Sequence, residues 1–153
     1  MIFNARVQGK AMEFVVKSPI LGFEHIQKMK LERIAKDDET FMQLKSGESD
    51  GISFTLVNPY AMRTDYEFEI PSSIKVLLDL QGKTNTDPQN SKLVTLNIVC
   101  VKEPIEESSV NFLAPLLFNF ENLTMAQVVL ENFKYENFGL SEPISKFFDF
   151  SKQ

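Results

Sequence analysis

Residues 108–130 read SSVNFLAPLLFNFENLTMAQVVL, the longest densely apolar run in the chain, with Asn111, Pro115, Asn119 and Gln127 set into it. Proline near the middle of such a run removes a ladder donor and clashes with the turn before it, which excludes an uninterrupted helix. Strands tolerate proline at an edge or a bulge. The stretch therefore reads as the inner pair of strands of a mostly β domain, with a bulge or edge at Pro115. The remaining strands need its face to pack on. Asn111 and Asn119 are placed to satisfy backbone groups at strand ends.

Immediately upstream, Val94, Leu96, Ile98 and Cys100 occupy alternate positions and form one face of a long strand, followed by a polar turn over 102–109. Further back, Tyr66, Phe68 and Ile70 alternate with Glu67 and Glu69, the pattern of a strand with one face in water. Ile52, Phe54 and Leu56 alternate with Ser53 and Thr55 and stop at Asn58-Pro59. Residues 41–45 form a short strand and 47–51 a turn rich in Gly, Ser and Asp. Residues 28–35 form another strand through Met29 and Leu31, closed by the polar turn 36–39. Residues 1–7 and 12–17 read as a hairpin about Gly9-Lys10. Between that hairpin and the next strand, Leu21 and Phe23 flank Gly22 as apolar anchors of a loop tucked against the core.

One segment has helical period. Ile74, Leu77 and Leu78 fall at i, i+3 and i+4, after Pro71 and a serine available as N-cap, with Gly82 placed as a stop. Residues 82–92 carry no apolar side chain and read as an exposed loop. Beyond 135 the spacing of apolar residues becomes irregular, and Ile144, Phe147 and Phe148 share one face of a short terminal helix begun near Pro143.

A chain of 153 residues suits one domain able to bury a core without staples. With 43% hydrophobic and 24% charged residues it has the balance of a globular protein. The net charge of −5 argues against a binder that neutralises nucleic-acid phosphates. A single cysteine, Cys100, excludes an internal disulfide and a cysteine-based metal cluster, and with no secretory signal it points to a reducing, cytoplasmic location. No run approaches the length of a membrane span.

Catalytic constellations do not assemble. The one histidine, His25, is expected as a surface or structural residue rather than a base, and Cys100, on an apolar face, as buried and inert. Spacings for zinc or a phosphate-cradling loop are absent, so no cofactor and no metal are expected. The acidic groups at 37–39, at Glu67 and Glu69, and at Glu103, Glu106 and Glu107 read as a solvated face and strand-end turns that block edge pairing, with contact to a basic partner as the alternative. The segment Pro59, Tyr60, Met62, Arg63, Asp65 and Tyr66 carries side chains enriched at interface centres and is the candidate partner-binding loop. The competing reading folds Tyr60 and Met62 back on the sheet. On residue chemistry alone the result is a β-rich binding domain.

Several stretches in order resemble the FliW family of bacterial flagellar assembly factors. They are Pro19-Ile20-Leu21-Gly22-Phe23-Glu24, then residues 41–46, residues 52–59 ending in Asn58-Pro59, residues 66–71, the strand at 93–101, and Asn111, Ala114, Pro115 and Asn119 followed by Gln127 and Tyr135. Gly22, Phe23, Asn58, Asn111, Pro115, Asn119 and Gln127 are the motif positions. Leu21 stands where the family usually has proline, and Glu136, Asn137 and Phe138 stand where it has basic residues. The resemblance covers about residues 1–135 and implies an all-β, mainly antiparallel fold, a compact β-barrel-like single domain over 1–135 in which the periodicity sets one short helix near 72–80; the Phe-rich tail over 136–153 has no counterpart in it. It also implies a non-enzymatic role, binding flagellin and, when free, the translational repressor CsrA, with no direct nucleic acid, membrane or metal partner. A ligand- or RNA-binding barrel of OB type is the alternative, weakened because Tyr66 and Phe68 alternate with glutamates rather than with Lys or Arg. A hydrolase built on His25 is the third.

Overall fold

The alternation seen in the sequence becomes a ladder wherever both neighbours of a strand are present. A computed structural model of the chain describes residues 11–35, 38–80, 92–131, 139 and 141–148. Its strands are β1 (Met12–Ser18), β2 (Lys28–Ala35), β3 (Asp38–Ser46), β4 (Ser53–Val57), β5 (Leu93–Cys100), β6 (Ser109–Val110), β7 (Leu116–Asn119), β8 (Thr124–Gln127) and β9 (Glu142–Pro143), with one short helix, α1 (Ser72–Leu77). The expected strand at 1–7, the turn at Gly9-Lys10, the loop 82–91 with Gly82, and most of the tail after 131 lie outside the described residues.

The hydrogen-bonded order is β4-β3-β2-β1-β8-β7-β5, and β4 pairs again with β5, so seven strands close into a barrel. Every pairing is antiparallel except β1 with β8, where Val15 faces Thr124 and Val16 faces Met125 in parallel register. β6 adds to the far end of β5, and β9 adds to β6. Closure removes the exposed strand edges that would otherwise template aggregation.

With a period of two, each barrel strand sends one set of side chains inward. The interior is filled by Phe14, Met29, Leu31, Met42, Leu44, Leu56, Leu96, Leu116, Phe118 and Met125, all essentially inaccessible. Phe14 takes Phe118 and Phe120 edge-on, each with its centroid 5.1 Å away, the geometry aromatic quadrupoles favour. The barrel is therefore a packed core and not a lumen. The opposite parity on β4, β5, β7 and β8 (Val57, Leu93, Val99, Leu117 and Ala126) makes a second core. Tyr66, Phe68, Ile70, Ile74, Leu78 and Ile144 cover it.

Several expectations are corrected by this second layer. Residues 66–70 do alternate in burial, but among the described residues they form an extended cover strip with a single β-bridge at Glu69 in place of a full strand. Helix α1 is capped by Pro71 with no side-chain cap bond, in place of the expected serine, and Ile74 within it and Leu78 at its C-cap are buried while Leu77 is 42% exposed. Cys100 is exposed at the end of β5, past the point where the barrel covers that face. Leu21 is 63% exposed; Ile20 and Ile26 are the buried anchors of its loop, with Phe23 half-buried edge-on against Phe54 at 5.0 Å. The terminal helix is a single 3-10 turn, Ile144–Lys146, seated by Ile144.

The opening stretch divides differently from its first reading. The inner pair is β7 and β8, joined by a turn at 120–123 in which Leu123 takes φ +55. Pro115 stands just before β7. Between the pairs Leu96↔Leu116 and Val99↔Val110, β5 spends two residues, 97 and 98, while the opposite chain spends five, 111–115. The bulge is there, but it is a five-residue excursion that ends at Pro115.

Candidate partner-binding surface

The bulge at 111–115 leaves a gap in the ladder, and a buried side chain fills it. Asn97, fully buried in β5, donates through Nδ2 to the carbonyl of Asn111 (2.9 Å) and to Tyr66 Oη (3.1 Å), while Tyr66 Oη donates to the carbonyl of Phe112 at 2.6 Å. Asn111 Oδ1 accepts the Leu113 N–H at 2.9 Å. On the other side the Val128 and Leu130 amides donate to the carbonyls of Pro115 and Leu113, and the Phe112 amide donates to Gly139. Buried carbonyls thrown off the ladder need such partners, because an orphaned one costs about 1–3 kcal/mol.

Residues 58–66 dock on this bulge. Asn58 accepts the Tyr60 amide through Oδ1 (3.0 Å) and starts the 3-10 turn Pro59–Ala61. Arg63 stacks its guanidinium over the Phe112 ring, 5.7 Å from the centroid, and lies 3.6 Å from Asp65. Its side chain is only 16% exposed whereas that of Asp65 is 72% exposed. Tyr60 and Met62 are half-buried against the outer core, Tyr60 with its ring 6.2 Å from that of Tyr66. Pro59 is buried and Tyr66 is 2% exposed. Of the six residues proposed from sequence, these two are buried and hold the loop in shape, while Tyr60, Met62, Arg63 and Asp65 line its accessible side. Phe41, Phe147 and Phe148 pack on the same outer core, with Phe148 5.9 Å from Phe41 and Phe147 5.9 Å from Phe112.

The motif positions are mostly braces. Buried Gln127 accepts the Leu21 amide at 2.8 Å and donates to Ala114 at 3.5 Å, so one side chain ties the 20–24 loop to the bulge. Gly22 holds φ +91, a region that disfavours any side chain. Its amide is accepted by Glu24, whose carboxyl is held below its ordinary range first by that bond. Asn119 donates to the carbonyl of Leu78 (2.7 Å) and accepts the Glu121 amide (2.9 Å), stitching α1 to the barrel. Asn111 and Asn119 thus act on backbone groups, as expected.

His25 is exposed, with Nε2 3.0 Å from Asp50 Oδ2. The Ser46 hydroxyl is directed at that same carboxylate (3.3 Å) and not at the imidazole, so no nucleophile-base pair forms. Asp50 Oδ1 accepts the Ile52 amide at 3.0 Å, and that bond, helped by His25 and Ser46, holds the carboxyl below its ordinary value. The group joins the 20–26 loop to the 46–52 turn. Among the described residues no cluster of three or more His, Cys, Asp or Glu is placed to hold a metal ion, and no helix is long and apolar enough to cross a membrane. Sequence reasoning missed Asn97 and Phe112. An asparagine in the middle of the run LVTLNIVC was the available signal.

A closed barrel filled by its own side chains, with an outer apolar layer that braces surface loops, defines a scaffold class that presents surfaces in place of an internal cavity. The model of the FliW protein family matches residues 4–143. The chain is 54% identical over 138 residues to flagellar assembly factor FliW 2 of Wolinella succinogenes, covering 90% of this chain and 93% of that one. It is 43% identical over 136 residues to flagellar assembly factor FliW of Campylobacter lari, covering 89% and 96%. A crystal structure of a flagellar assembly factor FliW superposes with a TM-score of 0.72 at 20% identity, covering 86% of this chain and 84% of that one. The chain belongs to the FliW family of flagellar assembly factors.

Proposed function

We propose that this protein binds newly made flagellin in the cytoplasm and, when no flagellin occupies it, binds the translational repressor CsrA and lowers its hold on the flagellin message. The observation that carries this reading is the family match along nearly the whole described barrel, at 54% identity to a named flagellar assembly factor. The chemistry is consistent with it. Among the described residues no nucleophile is paired with a base, which suits a barrel that acts by contact and leaves bonds in its partners unbroken, and a net charge of −5 favours a basic, RNA-binding partner over RNA itself. The half-buried Tyr60 and Met62, with Arg63 and Asp65 beside them, are the proposed contact residues of the loop. The domain is proposed to span 1–135, with 136–153 as a tail packed on it.

The test is an exchange experiment. Purified protein mixed with flagellin monomer is expected to give a stable heterodimer, and CsrA is expected to be captured only when flagellin is lacking. A complex holding both partners tightly at once contradicts the exchange. Tyr60→Ala or Met62→Ala is expected to weaken one contact by about 1–2 kcal/mol without unfolding the domain; unaltered binding of both partners by both variants moves the site elsewhere.

A further inference from the structure

Residues 141–148 lie against the bulge as a strap, and the strap is fastened unevenly. Its start is tied to the barrel, because Glu142 and Pro143 form β9 against β6 and the Ile144 amide donates to the carbonyl of Ser108 at 2.8 Å. Ile144 itself is 2% exposed and belongs to the outer core. Beyond it, the amides of Phe147 and Phe148 both turn back to the Ile144 carbonyl, each at 3.0 Å, so those bonds stay with the turn when its rings move. The two rings are only half-buried.

What the rings cover is the place where the bulge meets the loop at 58–66. Phe147 stands edge-on to Phe112 at 5.9 Å, and Arg63 of the loop stacks on that same Phe112 ring. Phe148 lies 5.9 Å from Phe41, and Tyr60 and Met62 pack on the same outer core. The strap thus shows, with this chain's own residues, what a ledge over Phe41 and Phe112 accepts: bulky apolar side chains carried on one helical turn. Amphipathic segments of bound proteins present that same kind of face to an apolar surface. Cations and carboxylates balance around the ledge, Arg63 3.6 Å from Asp65 and Lys146 3.4 Å from Glu142. Apolar fit, and not charge, therefore selects the occupant.

We propose that Phe147 and Phe148 are a tethered competitor: they occupy an apolar ledge on Phe41 and Phe112 that takes bulky apolar side chains from an amphipathic segment of a bound protein, and they leave it when that segment arrives. Ile144 and β9 stay in place as the tie. A competitor on so short a tether acts at an effective concentration on the order of millimolar. The partner meets an open ledge only in the fraction of molecules whose rings are off, and its apparent affinity falls by that fraction. Between partners the rings keep the ledge from unselective apolar contacts. In the proposed function the repressor is the partner selected by charge, which leaves flagellin for this ledge; the inference rests on that reading for its second probe alone.

The first probe is a labelled peptide of residues 141–148, SEPISKFF, titrated with the full chain and with two variants. Phe147→Ala/Phe148→Ala uncovers the ledge. Lys146→Glu loosens the strap by removing the partner of Glu142 and the cation 5.8 Å over the Phe147 ring, and at 58% exposure it leaves the core intact, so it carries the test should the double variant fail to fold. The peptide is expected to bind the double variant about tenfold or more tighter than the unaltered chain, and Lys146→Glu about threefold tighter. Flagellin monomer, the second probe, is expected to follow the same order. A purely structural role for the rings lowers the thermal midpoint and does not tighten binding. Unchanged or weaker binding of the peptide by the folded variants overturns the inference, and so does flagellin binding that the variants weaken or leave unchanged. Peptide binding in the expected order, with no binding of flagellin by any of the three chains, overturns the reading of the function and supports the tethered competitor.

Discussion

Asn97 shows how much one buried amide does in an apolar barrel. Its Nδ2 serves both the Asn111 carbonyl and Tyr66 Oη, so truncation strands a buried acceptor and loosens the cover strip together. Asn97→Ala is expected to lower unfolding free energy by about 1–3 kcal/mol in urea denaturation, and Tyr66→Phe by a similar amount. Because the two act on one network, the double variant is expected to lose less than the sum. Additive losses would mean that they act independently. Asp50 gives a different, pH-dependent signature. Its folded carboxyl is held below the ordinary 3.8 mainly by the Ile52 amide, so the stabilisation is present above 3.8 and is lost as pH falls through the lower folded value. The stability gap between the native chain and Asp50→Asn is therefore expected to be constant above that range and to close below it. A gap that widens on acidification contradicts the assignment.

At the scale of elements, the loop at 20–26 is held by side chains from elsewhere: Gln127 on the Leu21 amide, the half-buried Phe23 on Phe54, and His25 on Asp50. Gly22 at φ +91 has open space around it, so Gly22→Ala costs backbone strain and no clash, about 1 kcal/mol. Gly47 is the contrasting case. A Cβ there meets the Lys28 carbonyl at 2.8 Å, so Gly47→Ala forces the 46–52 turn off β2. The larger loss of stability is expected for Gly47→Ala, measured by thermal unfolding of the two variants side by side. The strands with clean alternation, such as β2 through Met29 and Leu31, were legible in the sequence because period two needs only one covered face. The same rule overreached at residues 66–70, where the covered face is real but only Glu69 takes a β-bridge, and at Cys100, where parity is right and the strand outruns its cover. Leu21 was misread because exposure of a loop apex depends on Gln127, 106 residues away. The bulge was half legible, since Pro115 announces an interruption but nothing local tells its length. The loop at 59–66 stood out by composition, while the burial of Pro59 and Tyr66 within it depends on Phe112 and Asn97, which only the folded chain brings near.

The whole molecule is a closed barrel with one thickened side. Its parallel β1–β8 seam joins the early strands to the late hairpin, so the barrel cannot close before residues 116–127 are made. The bulge, the loop at 58–66 and the terminal 3-10 turn all belong to that thickened side, where β4, β5, β7 and β8 carry the second core. If flagellin and CsrA both bind this side, as proposed, they meet as competitors, and competition has a quantitative form. For mutually exclusive binding, the apparent Kd for CsrA is multiplied by one plus the free flagellin concentration over its own Kd, so flagellin at a hundred times its Kd raises it about a hundredfold. The same occupancy raises the unfolding free energy of the barrel by about 2.7 kcal/mol. Titration of CsrA at a series of fixed flagellin concentrations is expected to give apparent Kd values rising linearly without a plateau. A plateau would mean that both partners sit on the barrel together and are coupled through it, in which case the side that the fold thickens carries two separable surfaces.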